Sequence, residues 1–280
     1  VSSVANPQTA GTVVALTGTY TNPSAVSVDS AGDVYVANTG NQTIQKISGA
    51  TVTPLAGSSG FSGNADGSGT SARFNFPGGI VVTAVNTFYV ADTSNHRVLM
   101  WQPFPTETRP PDVVLGQASL AGVLEQGGGS NVSASGMYYP GGVYSDGSKL
   151  FVSDTGNNRV LVWNTLELAN GQAPDDVIGP ASFTTTNSRL NDPVACWAFN
   201  SRFYIVDRGN NRVLYWNGTP GLNNPSPTGV IGQPNMMAST ANNGGLNLNT
   251  LQSPRGIVVQ DGGLYISDGY NGRVLGLPIP

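Results

Sequence analysis

The chain has 280 residues, long enough for one large core or two small ones, yet only 10% of them are charged, against roughly 25% in typical globular chains. Twelve basic residues against sixteen acidic ones give a net charge of −4, which argues against a nucleic-acid partner, because phosphate backbones demand a basic surface. The single cysteine, Cys196, excludes an internal disulfide, and no apolar run is long enough for a membrane-crossing helix.

Taken in order, the chain repeats a three-part unit. An isolated apolar run ending in glycine comes first, Thr12-Val-Val-Ala-Leu-Thr-Gly18. The first unit then opens at Pro23-Ser-Ala-Val, continues as VYVANTGNQTIQKI (34–47) and ends in Pro54-Leu-Ala-Gly57. The second runs from Pro77-Gly-Gly-Ile through FYVADTSNHRVLMW (88–101) to Val114-Leu-Gly116. The third runs from Pro140-Gly-Gly-Val through LFVSDTGNNRVLVW (150–163) to Val177-Ile-Gly179. The fourth runs from Pro193-Val-Ala-Cys through FYIVDRGNNRVLYW (203–216) to Val230-Ile-Gly232. The fifth opens at Pro254-Arg-Gly-Ile, reaches LYISDGYNGRVLGL (264–277), and has no apolar run after it.

Each part has a strand reading. Proline opens a strand where no ladder donor is needed, and the small residue after it permits close backbone approach. The long middle part is a hairpin: two apolar, β-branched halves around a turn of Asp, Gly, Thr and Asn. The short run is a fourth strand. The last unit lacks that strand while the N-terminus carries a spare one. The expectation is therefore an all-β, five-bladed β-propeller of four-stranded antiparallel blades. Residues 12–18 are expected to complete the last blade and close the ring, and residues 1–280 to form a single domain.

Within each turn an acid, or its amide, precedes an Asn by three residues and an Arg by five. The pairs are Asp92 with Arg97, Asp154 with Arg159, Asp207 with Arg212, and Asp268 with Arg273. The first unit has Asn38 and Thr43 instead. These pairs are expected to be structural clamps across the turn, bidentate where geometry permits, since a hairpin needs one copy per repeat and a ligand site does not.

At these residues the chain resembles the NHL-repeat propeller family. The pattern P-x-G-I-x-V…YVADTxNHRV is carried by Pro77 onward, with Asn95, His96 and Arg97 at the positions that give the repeat its name. The stretches GNADGSGTSARFNFPGGI (63–80) and DVVLGQASL (112–120) resemble secreted bacterial members. The resemblance implies a propeller over residues 12–277. Catalytic members of the family include zinc-dependent amidating lyases and calcium-dependent lactonases, and some members bind RNA through a basic face.

The residues here do not supply such chemistry. His96 is the only histidine and cannot make a three-ligand catalytic zinc site. It would also be the sole base for any serine nucleophile. Asp175 and Asp176 are adjacent, so their side chains diverge. Asp66, in a glycine-rich insertion, reads as a turn residue, and Cys196 as a buried inert thiol. No cofactor or metal is expected, although calcium on oxygen ligands stays open. Trp101, Trp163 and Trp216 close the third strand of three units and are expected to pack between blades.

The expected function is a non-catalytic interaction module. Turns between strands two and three and loops between blades open on one face, and the loops are long: 58–76, 117–139, 180–192 and 233–253. Phe61, Phe74, Met137, Tyr138, Phe183, Met236 and Met237 stand among their Gly, Asn, Ser and Thr as candidate binding residues. The expected partner is another protein or an extracellular assembly, self-association included. A glycan-binding lectin and a calcium-dependent hydrolase or lyase in the central channel are the alternatives. Low charge, abundant Asn, Thr and Ser and the family resemblance lead to the expectation of an exported or cell-surface protein, processed or trimmed ahead of Val1; sequons stand at Asn41, Asn131 and Asn217.

Overall fold

The computed structural model describes residues 18–84, 87–103, 109–129, 131–180, 182–184, 189–220, 226–260 and 262–279. They form a five-bladed β-propeller. Blade one comprises β1 (Ala25–Val28), β2 (Val34–Asn38), β3 (Thr43–Ser48) and β4 (Thr51–Gly57). Blade two comprises β5 (Pro77–Val82), β6 (Phe88–Asp92), β7 (Arg97–Trp101) and β8 (Val113–Leu115). Blade three comprises β9 (Pro140–Ser145), β10 (Leu150–Asp154), β11 (Arg159–Trp163) and β12 (Asp176–Ile178). Blade four comprises β13 (Pro193–Phe199), β14 (Arg202–Asp207), β15 (Arg212–Asn217) and β16 (Gly229–Ile231). Blade five comprises β17 (Pro254–Gln260), β18 (Gly263–Asp268) and β19 (Arg273–Pro278). All pairing is antiparallel and follows chain order. The strand expected from residues 12–18 lies, apart from Gly18, outside the described residues.

The turn between the second and third strands sets the register of every blade. In each, three residues make a 3-10 turn, and the next one adopts a left-handed backbone, as at His96 (φ 56) and Asn158 (φ 56). The pair flanking the turn is Asp92↔Arg97 in blade two and Asp154↔Arg159 in blade three, with the same register at Asp207↔Arg212 and Asp268↔Arg273. A one-residue slip would send each blade's apolar set to the wrong face.

The innermost strands explain the small residues after the opening prolines. β1, β5, β9, β13 and β17 lie side by side in that order. A Cβ on Gly142 would come 2.3 Å from the Val194 carbonyl oxygen of the next blade, and one on Gly79 would come 2.8 Å from the Val143 nitrogen. Only glycine permits backbones this close.

The core is four apolar layers, each sandwiched between neighbouring blades. Ile44 of blade one meets Phe88 and Trp101 of blade two; Tyr89 and Met100 meet Leu150 and Trp163; Phe151 and Val162 meet Phe203 and Trp216; Tyr204 and Val213 meet Leu264 and Ile266. Trp101, Trp163 and Trp216 are buried as expected, and Cys196 is a free thiol in the third layer. Two candidate surface residues belong to these layers instead. Phe74 and Met137 are buried, in the first and second layer respectively. Both stand near the inner end of an inter-blade loop, where the returning chain plugs the joint between two sheets.

Candidate functional site

The Asp–Arg pairs form a ring of clamps beneath the loop face. The Asp154 carboxylate accepts three hydrogen bonds: from Tyr138 N (2.7 Å), Asn157 Nδ2 (2.8 Å) and Arg159 Nε (2.7 Å). The same triple set holds Asp92 through Asn75 N, Asn95 and Arg97. It recurs at Asp207 through Asn191 N, Asn210 and Arg212, and at Asp268 through Gln252 N, Asn271 and Arg273. The arginine meets the carboxylate through Nε alone, so the clamp is not bidentate. Its outer nitrogens grip the loops instead.

Arg159 Nη2 donates to Gly136 O (2.7 Å) and Ser133 O (3.0 Å) in the loop before its blade, and Nη1 donates to Phe183 O in the loop after it. Arg97 donates to Leu120 O and to Asp66 Oδ1 (2.9 Å). Arg212 donates to Met236 O and to Arg189 O (2.8 Å), and Arg273 to Asn247 O and Thr250 O (both 2.7 Å). In blades two to four a fixed guanidinium fork thus pins two otherwise irregular loops to one rigid turn, while Arg273 holds the loop before its own blade. The asparagine of the turn, three residues after the acid, is as much a part of the clamp as the arginine.

Charge is handled consistently. Arg97, Arg159 and their carboxylates are fully buried; burial pushes the Asp92 and Asp154 carboxyls up, with the guanidinium and the N–H donors pulling against it. Asp66 is a second carboxylate on Arg97 and not only a turn residue; burial raises its carboxyl also. Blade one has no guanidinium, and its Asn38 is correspondingly neutral. The amide accepts from Thr21 N (2.8 Å) and donates to Thr19 O (2.9 Å), filling the role without a buried charge.

A second set of contacts ties each blade to the next. The side chain of the left-handed turn residue accepts the N–H of the residue before the next blade's opening proline. Gln42 takes Phe76 N (2.7 Å), His96 Nδ1 takes Tyr139 N (3.1 Å), Asn158 takes Asp192 N (2.7 Å) and Asn211 takes Ser253 N (2.8 Å). His96 therefore serves as an acceptor in its neutral form, and burial lowers its pKa accordingly. Burial pushes the Cys196 thiol up to about 12, leaving it unreactive. Among the described residues no three His, Cys, Asp or Glu side chains converge in a way that would hold a metal ion.

The loop face held by the clamps is apolar in patches. Phe61 and Met237 are exposed as expected, Met237 almost completely (91%). Tyr138 is half-buried and stacks on His96, with ring centroids 5.3 Å apart. Phe183 is half-buried against the second apolar layer. Phe76, Leu124, Tyr139, Leu246, Leu248 and Tyr270 are exposed on the same face. Phe76 and Tyr139 share a signal visible in the sequence: both immediately precede an opening proline, and both have a left-handed backbone (φ 53 and 49) that turns the ring outward.

A cavity of about 520 Å³ opens beside the Asp207–Arg212 clamp of blade four. Its walls include Leu190, Leu214 and Met236, with Arg189, Asn210 and Met237 toward the rim. The loop from Gly179 to Pro193 is the shortest between blades, and among its described residues Arg189 offers its carbonyl to Arg212.

Comparison with known proteins agrees with this architecture. The family model described as NHL repeat matches residues 20–47 and 74–99, the first two blade cores with their turns. The chain is a five-bladed β-propeller whose first two blades carry NHL repeats. A search of curated proteins finds no significant match. Among solved structures, the propeller is similar to a chain of the nidogen/laminin complex, with a TM-score of 0.55, 15% identity, and coverage of 91% of this chain and 75% of that one. It is also similar to a streptogramin B lyase, with a TM-score of 0.50, 14% identity, and coverage of 91% of this chain and 63% of that one. At such identities the likeness is one of fold. Among the described residues no helix is long and apolar enough to cross a membrane.

Proposed function

We propose that this NHL-repeat propeller is a secreted, non-catalytic protein-interaction module that binds through its clamped loop face. The observation that carries the reading is the distribution of exposed large apolar side chains. Among the described residues eight of the twelve lie on that face, from Phe61 in the first long loop to Tyr270 in the last turn, on loops pinned from below by guanidinium groups such as those of Arg159 and Arg273. Rigidly held apolar anchors amid Asn, Ser and Gly suit recognition of another protein, because little entropy is lost on binding. The cavity beside Arg212, with methionines on its wall and rim and Arg189 alongside, suits one apolar side chain near a carboxylate of the partner. Four aspartates and four arginines are committed to the clamps. The likeness to a chain from the nidogen/laminin complex is consistent with protein binding.

The test is affinity capture from the native extracellular fraction, with the wild type and with a Phe61→Ser, Met237→Ser, Leu248→Ser triple variant. A partner retained by the wild type and lost from the equally stable variant supports the loop face. Selective binding on a glycan array, or a hydrolytic activity abolished by chelator, would replace this reading with the lectin or the calcium-dependent enzyme.

A further inference from the structure

The dipeptide Asn-Gly occurs four times in the chain, at Asn170-Gly171, Asn217-Gly218, Asn243-Gly244 and Asn271-Gly272. It is chemically fragile, because glycine has no side chain to shield its own peptide nitrogen from the amide carbon of the preceding asparagine. Two conditions decide whether those atoms react. The glycine N–H must be open to water, which takes its proton, and the asparagine side chain must be free to swing toward it. In three of the pairs the glycine N–H is engaged. Gly171 N donates to Val114 O (2.9 Å), Gly218 N to Ser201 O, and Gly272 N to Gly269 O (3.4 Å). Two of these asparagines are tied as well. Asn170 Oδ1 accepts Val114 N (2.9 Å), and Asn271 Nδ2 donates to Asp268 Oδ2 and Asn242 Oδ1 (both 2.8 Å).

The remaining pair stands at the tip of the loop over residues 233–253. Gly245 N donates to Asn242 O (2.6 Å) and Gly244 has φ 83, as in a type II turn with Asn243 and Gly244 at its centre. The flank of the turn is anchored: Asn242 N donates to Leu251 O (3.0 Å), and Asn242 Nδ2 donates to Gln252 Oε1 and Asn271 Oδ1 (both 2.9 Å). The tip is not. Gly244 is exposed, its N–H makes no hydrogen bond among the described residues, and a Cβ placed on it would meet nothing within 4 Å. The Asn243 side chain has one long tie, from Nδ2 to Gln233 Oε1 at 3.4 Å. Both conditions for reaction are met here and at no other Asn-Gly pair.

We propose that Asn243 is a site of non-enzymatic deamidation, and that the fold confines this modification to Asn243 among the four pairs. The Gly244 nitrogen gives its proton to water and attacks Asn243 Cγ. A C–N bond forms, the bond from Cγ to Nδ2 breaks, and ammonia leaves with a proton from the solvent. One water then opens the five-membered succinimide ring at either of its two carbonyls, leaving aspartate or isoaspartate at position 243. The product adds a negative charge to a chain already at −4. It also loses the donor that met Gln233, and isoaspartate lengthens the backbone of the turn that Gly245 closes on Asn242. The change falls in the loop that carries the exposed Leu246 and Leu248, so aged molecules differ from fresh ones on the candidate binding face.

The test is to age the whole chain in mildly alkaline buffer, folded and in denaturant, and to follow all four sites by peptide mapping with mass spectrometry. Each conversion shows as the mass difference between an amide and an acid, and isoaspartate separates from aspartate by chromatography. In the folded chain Asn243 is expected to convert about tenfold faster or more than the other three, the factor that one retained hydrogen bond sets on the rate. In denaturant the four should convert at similar rates, because the protection is structural. Isoaspartate is the signature of the ring, which direct hydrolysis of the side chain does not form. An Asn243→Gln protein should melt like the wild type and should not accumulate the acidic species that ion exchange resolves in the aged wild type. No conversion at Asn243 in the folded chain while the unfolded chain converts, equal rates at the four sites in the folded chain, aspartate without isoaspartate, or the same acidic species in the Asn243→Gln protein overturns the proposal.

Discussion

Blades three and five are written with nearly the same strands, LFVSDTGNNRVLVW and LYISDGYNGRVLGL, yet their surroundings differ. Blade three is enclosed on both faces, and its clamp residues Asp154 and Arg159 are fully buried. Blade five is enclosed on one, and the side chain of Arg273 is 23% exposed. The comparison teaches that the repeat sets the local geometry while the neighbouring blade sets its energetic weight. The Nε–carboxylate distances are 2.7 and 2.8 Å, close to identical, but water reaches only one of the two pairs.

The largest expected effect tests that difference directly. Arg159→Ala strands the Asp154 carboxylate in the interior and releases the loop carbonyls of Ser133, Gly136 and Phe183. It should cost about 3–5 kcal/mol of unfolding free energy. Arg273→Ala removes the same bond where solvent can substitute, and should cost less, on the order of 1–3 kcal/mol. Denaturant midpoints with unchanged slopes measure both. Equal losses would mean that the clamp acts through local geometry alone.

The apolar faces give the next contrast. Leu161→Ala empties space in the layer between blades two and three and should cost about 2–5 kcal/mol. Val274→Ala touches an exposed position and should stay within about 0.5 kcal/mol. Thermal melting of the two variants breaks the comparison if Val274 proves as costly as Leu161.

Much of this was legible before any coordinates. Strand identity, blade count and the pairing of Asp with Arg follow from residues repeated in register, because a repeat reports the same local physics several times. The direction of the guanidinium's outer nitrogens was not legible. They bond to backbone carbonyls such as Leu120 and Phe183, and carbonyls leave no mark on side-chain sequence. Phe74 and Met137 lie in loops rich in Gly and Ser, where composition gives no sign of burial; only the joint they plug does. The tie from the left-handed turn residue was hidden for a different reason. Gln42, His96, Asn158 and Asn211 are four residues of three types, united only by a side-chain acceptor.

Those ties supply the third contrast. Asn158→Ala leaves the Asp192 N–H without its acceptor and should cost about 1–2 kcal/mol by chemical denaturation. Gly272→Asn introduces the same side chain where no further blade is described. Its left-handed backbone tolerates asparagine, so stability should change by less than about 0.5 kcal/mol. A substantial gain at Gly272 would show that the last blade packs on the first in solution.

The smallest expected effect concerns pH and separates His96 from the asparagines that do the same work at the next two joints. His96 Nδ1 accepts the Tyr139 N–H, so only the neutral ring makes the tie. Burial holds its pKa below the ordinary histidine value, with Glu125 pulling weakly the other way and Tyr138 and Tyr139 packed against the ring. The unfolded chain takes up a proton at the ordinary value, whereas the folded chain does so only at a lower pH. Between those two values the unfolded state binds more protons, so stability falls as pH falls through that window and levels off below the folded value. His96→Asn keeps an acceptor and removes the titration. Unfolding free energies of both proteins from about pH 7.5 to 5 isolate the effect, since every other titrating group is shared and this is the only histidine in the chain. The variant should gain on the wild type as the solution is acidified. A constant difference across that range would mean that His96 keeps its proton equilibrium unchanged on folding, and that the tie to Tyr139 does not depend on the neutral ring.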